Sequence, residues 1–170
     1  MNNSKELIII TVFTVLVFAG IIGLASLKNS SGPSVNATAS DIAQQSPLVA
    51  EQTRYDFGTI SMARGKVKNE YAVKNTSASD VTLKKIYTSC MCTEASLIFG
   101  DRRVGPFGMA GHGVIPSINE KIPAGAEFSV ETVFDPAAHG PAGVGPIQRV
   151  VFLETSQGMT ELEFSAVVEP

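Results

Sequence analysis

The sequence predicts an all-β antiparallel sandwich of immunoglobulin-like type, with about seven strands behind one N-terminal transmembrane helix. Three observations carry the prediction. From Thr53 to Pro170 apolar residues recur with period two in short runs. Turn residues separate the runs, and no stretch holds a 3.6-residue period. A true antibody-type domain is excluded, because the chain has no Trp and so no Cys…Trp…Cys pattern.

In chain order, residues 1–6 form a short polar tail. Leu7 to Leu27 carries no charge and is bordered by Lys5-Glu6 and Lys28. An uncharged stretch of this length matches the roughly 20 residues a helix needs to cross the hydrocarbon core. A cleaved secretory signal is the rival reading. Its apolar region is usually about 7–15 residues and is followed at once by a small-x-small site. Here Ala37-Thr38-Ala39 lies well beyond the apolar end, so an uncleaved anchor is expected. Residues 28–52 are small, polar and aperiodic, and read as a flexible tether. Two glycosylation acceptor patterns occur, Asn36-Ala37-Thr38 and Asn75-Thr76-Ser77.

The sandwich is expected over residues 53–170. Tyr55 and Phe57 alternate before Gly58, and Val67, Tyr71 and Val73 alternate against Lys68, Glu70 and Lys74. The polar run from Asn75 to Asp80 reverses the chain. Val81 and Leu83 resume the pattern. Beyond Lys84-Lys85 the parity shifts to Ile86, Thr88, Cys90 and Cys92, the mark of a β-bulge. A further strand is expected between residues 95 and 118. Phe128 to Phe134 is half-buried in pattern, Ile147 to Leu153 is apolar on both parities and therefore central, and Leu162 to Val168 closes the chain.

Composition narrows the function classes. Of 170 residues 44% are hydrophobic and 17% charged, with 13 basic and 16 acidic side chains giving a net charge of −3. No basic face is available for nucleic acid, and the apolar content excludes wholesale disorder. Two cysteines cannot build a disulfide-rich miniprotein. Neither a Gly-x-Ser-x-Gly elbow, a phosphate-binding Gly-rich loop nor a His-Glu-x-x-His helix occurs. No small-molecule substrate is identifiable, and a non-enzyme is expected, thiol oxidoreductase being the one enzymatic reading with support.

Several segments occur in a fixed order: Tyr55-Asp56-Phe57-Gly58-Thr59-Ile60, Gly65-Lys66-Val67, Lys74-Asn75-Thr76, Thr88-Ser89-Cys90-Met91-Cys92-Thr93, Phe134-Asp135-Pro136 and His139-Gly140. Together, from residue 55 to about residue 168, they resemble the bacterial domain-of-unknown-function family fifteen-seventy-three. The resemblance implies an Ig-like, PapD-like sandwich, exported or anchored on the extracytoplasmic side (secreted if the N-terminal segment is cleaved). The sequence departs from the family at Met91 and Ala138, where Gly is usual, and residues 100–117 look like an insertion. The resemblance implies fold and address, not a role.

The chemistry-bearing residues are Cys90 and Cys92. On an extended strand their side chains would point the same way, with Cα atoms about 6.6 Å apart. At that distance a mutual disulfide would be strained and easily reduced. Two thiolates on one face would suit Cu(I) or Zn²⁺. His139, His112 and Met109 are the further candidate ligands, all in loops. Alternatively His139 caps its loop, and Met62 and Met159 are ordinary packing residues. If the strand between 95 and 118 forms, Met62, Cys90, Cys92 and His139 converge at one pole, with the insertion beside them. Three roles stay open: a non-catalytic binding or assembly module with an envelope protein partner, a soft-metal-binding protein, and a thiol–disulfide redox protein.

Overall fold

The computed structural model describes residues 46–111 and 114–170. The tail, the expected membrane segment 7–27, the tether as far as residue 45, and His112 lie outside the described residues. Among the described residues no helix is long and apolar enough to cross a membrane.

Ten strands form in these residues: β1 Leu48–Ala50, β2 Arg54–Ser61, β3 Val67–Asn75, β4 Val81–Thr88, β5 Thr93–Phe99, β6 Arg102–Phe107, β7 Glu120–Ile122, β8 Glu127–Phe134, β9 Gly145–Thr155 and β10 Gly158–Glu169. They make two five-stranded sheets, ordered β1-β3-β8-β5-β6 and β2-β10-β9-β4-β7. The alternating residues of both sheets face each other. Leu83, Ile86, Leu97, Leu153 and Leu162 are fully buried between them. As the apolar run at Ile147–Leu153 indicates, β9 is central, flanked by β10 and β4. The bulge expected near Lys84 is present, where the β4–β9 register shifts between Leu83 and Lys85.

The structure corrects the sequence reading in four places. There are ten strands rather than about seven. The sandwich starts at β1, inside the stretch read as tether: Leu48 is buried, its carbonyl accepts from the Thr160 hydroxyl at 2.6 Å, and the Pro47 carbonyl accepts from both Thr76 Oγ1 and Thr76 N. A three-residue strand is too short to show a period. Part of the supposed insertion is β6, which pairs with β5 around the Gly100–Asp101 turn. Finally, the sheets are not wholly antiparallel, since β2 pairs parallel with β10.

Two polar anchors hold the sheets in place. The Tyr71 hydroxyl on β3 donates across the core to the Glu163 carbonyl on β10 at 2.7 Å, and burial pushes its pKa up to about 12. Asn75 is fully buried at the end of β3. Its Nδ2 donates to the carbonyls of Ser79, Ile122 and Pro123, while its Oδ1 accepts from Ser77 N and Ser77 Oγ. One side chain thus satisfies backbone from two turns. It also follows that Asn75-Thr76-Ser77 is a structural turn in the folded domain, with its amide already committed.

Asn75→Ala should therefore lower the unfolding free energy by about 2–3 kcal/mol in urea melts, since several buried backbone groups lose their partner. A second expectation concerns Glu131 on β8. The Arg103 guanidinium, assisted by Lys68 Nζ at 3.5 Å, holds its buried carboxyl below the usual carboxylate range. A folded-state pKa below the unfolded one contributes stability above the unfolded glutamate value of about 4.3. That contribution is lost as pH falls through the lowered value. Thermal melts from pH 7 to pH 3 should show the wild type losing its margin over Glu131→Gln below about pH 4.

Candidate functional site

The chain passes from one sheet to the other between β4 and β5 in four residues, Ser89 to Cys92. This segment is a turn, not a continued strand: Thr93 N donates to the Cys90 carbonyl at 3.1 Å. The Thr88 hydroxyl donates between the Cys90 carbonyl at 2.9 Å and the Thr93 carbonyl at 3.0 Å. Ser89 is tied to β9 in both directions, through its N to the Val150 carbonyl and through its Oγ, which accepts from Val150 N. Asp135 N, just past β8, donates to the Cys92 carbonyl at 2.8 Å.

The turn changes the cysteine geometry. Cys90 and Cys92 are joined by a disulfide, with Cα atoms 5.2 Å apart. That separation is in the middle of the ordinary disulfide range, so the expected far-edge spacing of an extended pair is overturned. The parity argument survives in part, because both residues are buried as it requires, Cys90 at 8% exposure and Cys92 at 3%.

Each sulfur has its own side-chain nitrogen neighbour, and Cys90 Sγ also accepts from Cys92 N at 3.2 Å. His139 Nε2 lies 3.3 Å from Cys90 Sγ. A disulfide sulfur can only accept, so in this form the imidazole N–H is the donor. Arg149 Nε donates to Cys92 Sγ at 3.4 Å from β9. Cys92 Sγ also lies 3.7 Å from Thr93 Oγ1. His139 is exposed and stands at the start of the 3-10 turn Gly140–Gly143, where its side chain makes no capping hydrogen bond. The loop-capping role is thus not the one it fills. An Asx turn holds the loop, with Ala137 N donating to Asp135 Oδ1 at 2.9 Å.

Beneath the disulfide is a second apolar cluster, in which Phe134, Phe164 and Val168 pack with Cys90 and Cys92, and Tyr55, Phe57 and Met62 join from the side. Phe164 is the hub: its ring centroid is 5.5 Å from Phe57 and 5.4 Å from Phe134. The predicted convergence of Met62, Cys90, Cys92 and His139 at one pole is therefore observed. Met109 is placed differently. It bridges Thr88 and lines a cleft of about 340 Å³ with Met91, Ile86 and Phe107, outside the cluster around the sulfurs. The mutual reach of Cys90, Cys92 and His139 is close, with their ligand atoms all within 4.8 Å of one another. Sequence reasoning missed Arg149. A lone Arg on a strand reads as a solvated charge, and nothing local to it signals a sulfur partner.

The family model "Protein of unknown function (DUF1573)" matches residues 48–99, the stretch from β1 to β5 that includes the cysteine turn. The family resemblance carried by the sequence motifs is thereby borne out over this stretch. A protein of unknown function from Porphyromonas gingivalis W83 is similar in fold, with a TM-score of 0.51 at 17% identity, covering 79% of this chain and 51% of that one. The chain thus spans about half the length of that relative. The ASH/PapD-like domain 7 of human CEP192 matches with a TM-score of 0.45 at 11% identity, covering 83% of this chain and 96% of that domain. No curated protein sequence matches the chain. The described residues thus form a two-sheet β-sandwich that shares its fold with the Porphyromonas gingivalis protein.

Gly143 packs under the site: a Cβ there would lie 3.3 Å from His139 Cβ and 3.4 Å from Met62 Cε. Gly143→Ala should displace the imidazole by a few tenths of an ångström at a cost of about 1 kcal/mol. NMR should show the His139 ring resonances shifting while those of Tyr71, in the main core, stay in place.

Proposed function

We propose that this chain is a membrane-tethered, extracytoplasmic sandwich module that exchanges its Cys90–Cys92 disulfide with the thiols of an envelope protein. The observation that carries the reading is that each sulfur has a side-chain nitrogen of its own beside it, His139 Nε2 at 3.3 Å and Arg149 Nε at 3.4 Å. Neighbouring cationic or N–H groups stabilise a thiolate, the species that attacks and leaves in exchange. A purely structural disulfide needs neither partner. An assembly role through the edge strands alone would leave both unexplained. The uncharged segment Leu7–Leu27 supports the tether. A disulfide supports an oxidising compartment, since cytosolic thiols are kept reduced.

The two sulfurs differ in access. Cys90 lies beside the exposed His139, whereas Cys92 is the more deeply buried and faces Arg149. A client thiolate attacks Cys90 Sγ. The Cys90–Cys92 bond breaks, and its electron pair leaves on Cys92 Sγ beside the guanidinium. A second client thiolate then attacks the client sulfur of the mixed disulfide and releases Cys90 as a thiolate next to His139. The client dithiol loses two electrons and the cysteine pair gains them.

In the full chain carrying Cys92→Ser the Cys90 thiolate runs the same exchange in reverse, attacking a client disulfide and releasing one client sulfur as a thiolate; with no Cys92 to resolve it, the mixed disulfide through Cys90 should accumulate in the bacterial envelope. Acid quenching, alkylation and non-reducing electrophoresis would reveal it. Cys90→Ser should accumulate at least tenfold less. Equal trapping by both variants, or by neither, would sink the proposal.

A further inference from the structure

We infer that in its reduced state the same pole is a Cu(I) site, formed by Cys90 Sγ, Cys92 Sγ and His139 Nε2. This rests on the redox reading only in requiring that the pair exist as a dithiol. The ligand atoms already lie within 4.8 Å of one another. Two donors on a common ion, with metal–sulfur bonds of about 2.3 Å, stand about 3.8–4 Å apart. Opening the S–S bond to that distance is a matter of side-chain rotation. A Cα–Cα separation of 5.2 Å accommodates it without moving the turn. The turn itself is fixed from three sides, by Thr88, Val150 and Asp135. His139 gives the ion a way in from solvent, because it is exposed while both cysteines are buried.

Charge and softness select Cu(I) over Zn²⁺. Two thiolates and a neutral imidazole around Cu(I) carry one net negative charge. Arg149, already on Cys92 Sγ, neutralises it. Around Zn²⁺ the same donors sum to zero, and the guanidinium would be left uncompensated beside the ion. No fourth His, Cys, Asp or Glu joins the three among the described residues. Met62 packs against the same apolar cluster as the two cysteines. A thioether is a ligand for Cu(I) and a poor one for Zn²⁺. Binding releases the two thiol protons to solvent and leaves the copper as Cu(I). The disulfide and the metal therefore exclude each other: one Cys90–Cys92 pair holds either its own S–S bond or the ion.

The test uses the full chain in detergent micelles, reduced, kept anaerobic and titrated with Cu(I) against a competing Cu(I) chelator. Native mass spectrometry and thiolate-to-copper ultraviolet absorption read the result. One Cu(I) per chain is expected, lost entirely in Cys90→Ser and in Cys92→Ser. His139→Ala alters an exposed loop residue and so should leave the thermal melt in place; it should weaken binding tenfold or more. Arg149→Ala should weaken Cu(I) and strengthen Zn²⁺. Absence of bound Cu(I) in reduced wild type overturns the proposal, as does retention of Zn²⁺ in preference to it or an unchanged affinity in His139→Ala. The two readings fail separately. A chain that traps clients through Cys90 but holds no copper removes this inference alone, and a chain that holds copper but traps no client removes the exchange reading alone.

Discussion

The crossing from β4 to β5 is the constraint around which the rest of the structure is arranged. Four residues carry the chain from one sheet to the other, so their backbone groups leave one ladder before joining the next. Buried backbone groups without partners are costly, and three of the elements meeting at this pole supply one. β4 supplies the Thr88 hydroxyl, β9 the Val150 amide and carbonyl, and the end of β8 the Asp135 amide. A tight crossing of this kind also brings Cys90 and Cys92 close enough to bond.

The motifs that recur in order along the chain are explained by the same pole. Tyr55 and Phe57 come from β2, the cysteines from the crossing, Phe134 and Asp135 from the end of β8, and His139 from the loop that follows. They are far apart in sequence and adjacent in space. Phe57, Phe134 and Phe164 make edge and tilted contacts under the sulfurs, each worth about 0.5–1.5 kcal/mol beyond burial. The Lys74-Asn75-Thr76 motif is the exception. It lies at the far end of β3, where Asn75 ties the turns leading into β4 and out of β7 to the strand end. One pole is thus held by amide chemistry, and the other carries sulfur beside two nitrogens.

Strand interiors were legible because burial between two sheets imposes a two-residue period on side chains. Tyr71 and Val73, Val81 and Leu83, and Phe128 to Phe134 show it directly, and the bulge at Lys84 appears as a change of parity. The short strands β1 and β7 and the exposed edge strand β6 were not legible. β1 and β7 have three residues each, and β6 is exposed along most of its length, so none of the three leaves a periodic trace. The parallel pairing of β2 with β10 is equally silent, because a strand's side-chain alternation is the same whichever way its neighbour runs.

For this protein, the sequence by itself determined which strand residues are inside and that the domain is a sandwich, and it made the gathering of two cysteines, a histidine and a methionine at one end conditional on a strand between residues 95 and 118. Local pattern suffices for these, since each reflects the period of a pleated strand and the order of the turns. Tertiary structure alone decided that Cys90 and Cys92 lie in a turn, with Cα atoms 5.2 Å apart, and that Arg149 faces one sulfur while His139 faces the other. The reason is physical. The spacing of two residues in a turn and the partners of their side chains depend on where β8 and β9 deliver their backbone, and contacts across 49 and 57 residues of chain leave no mark in the local pattern at either end.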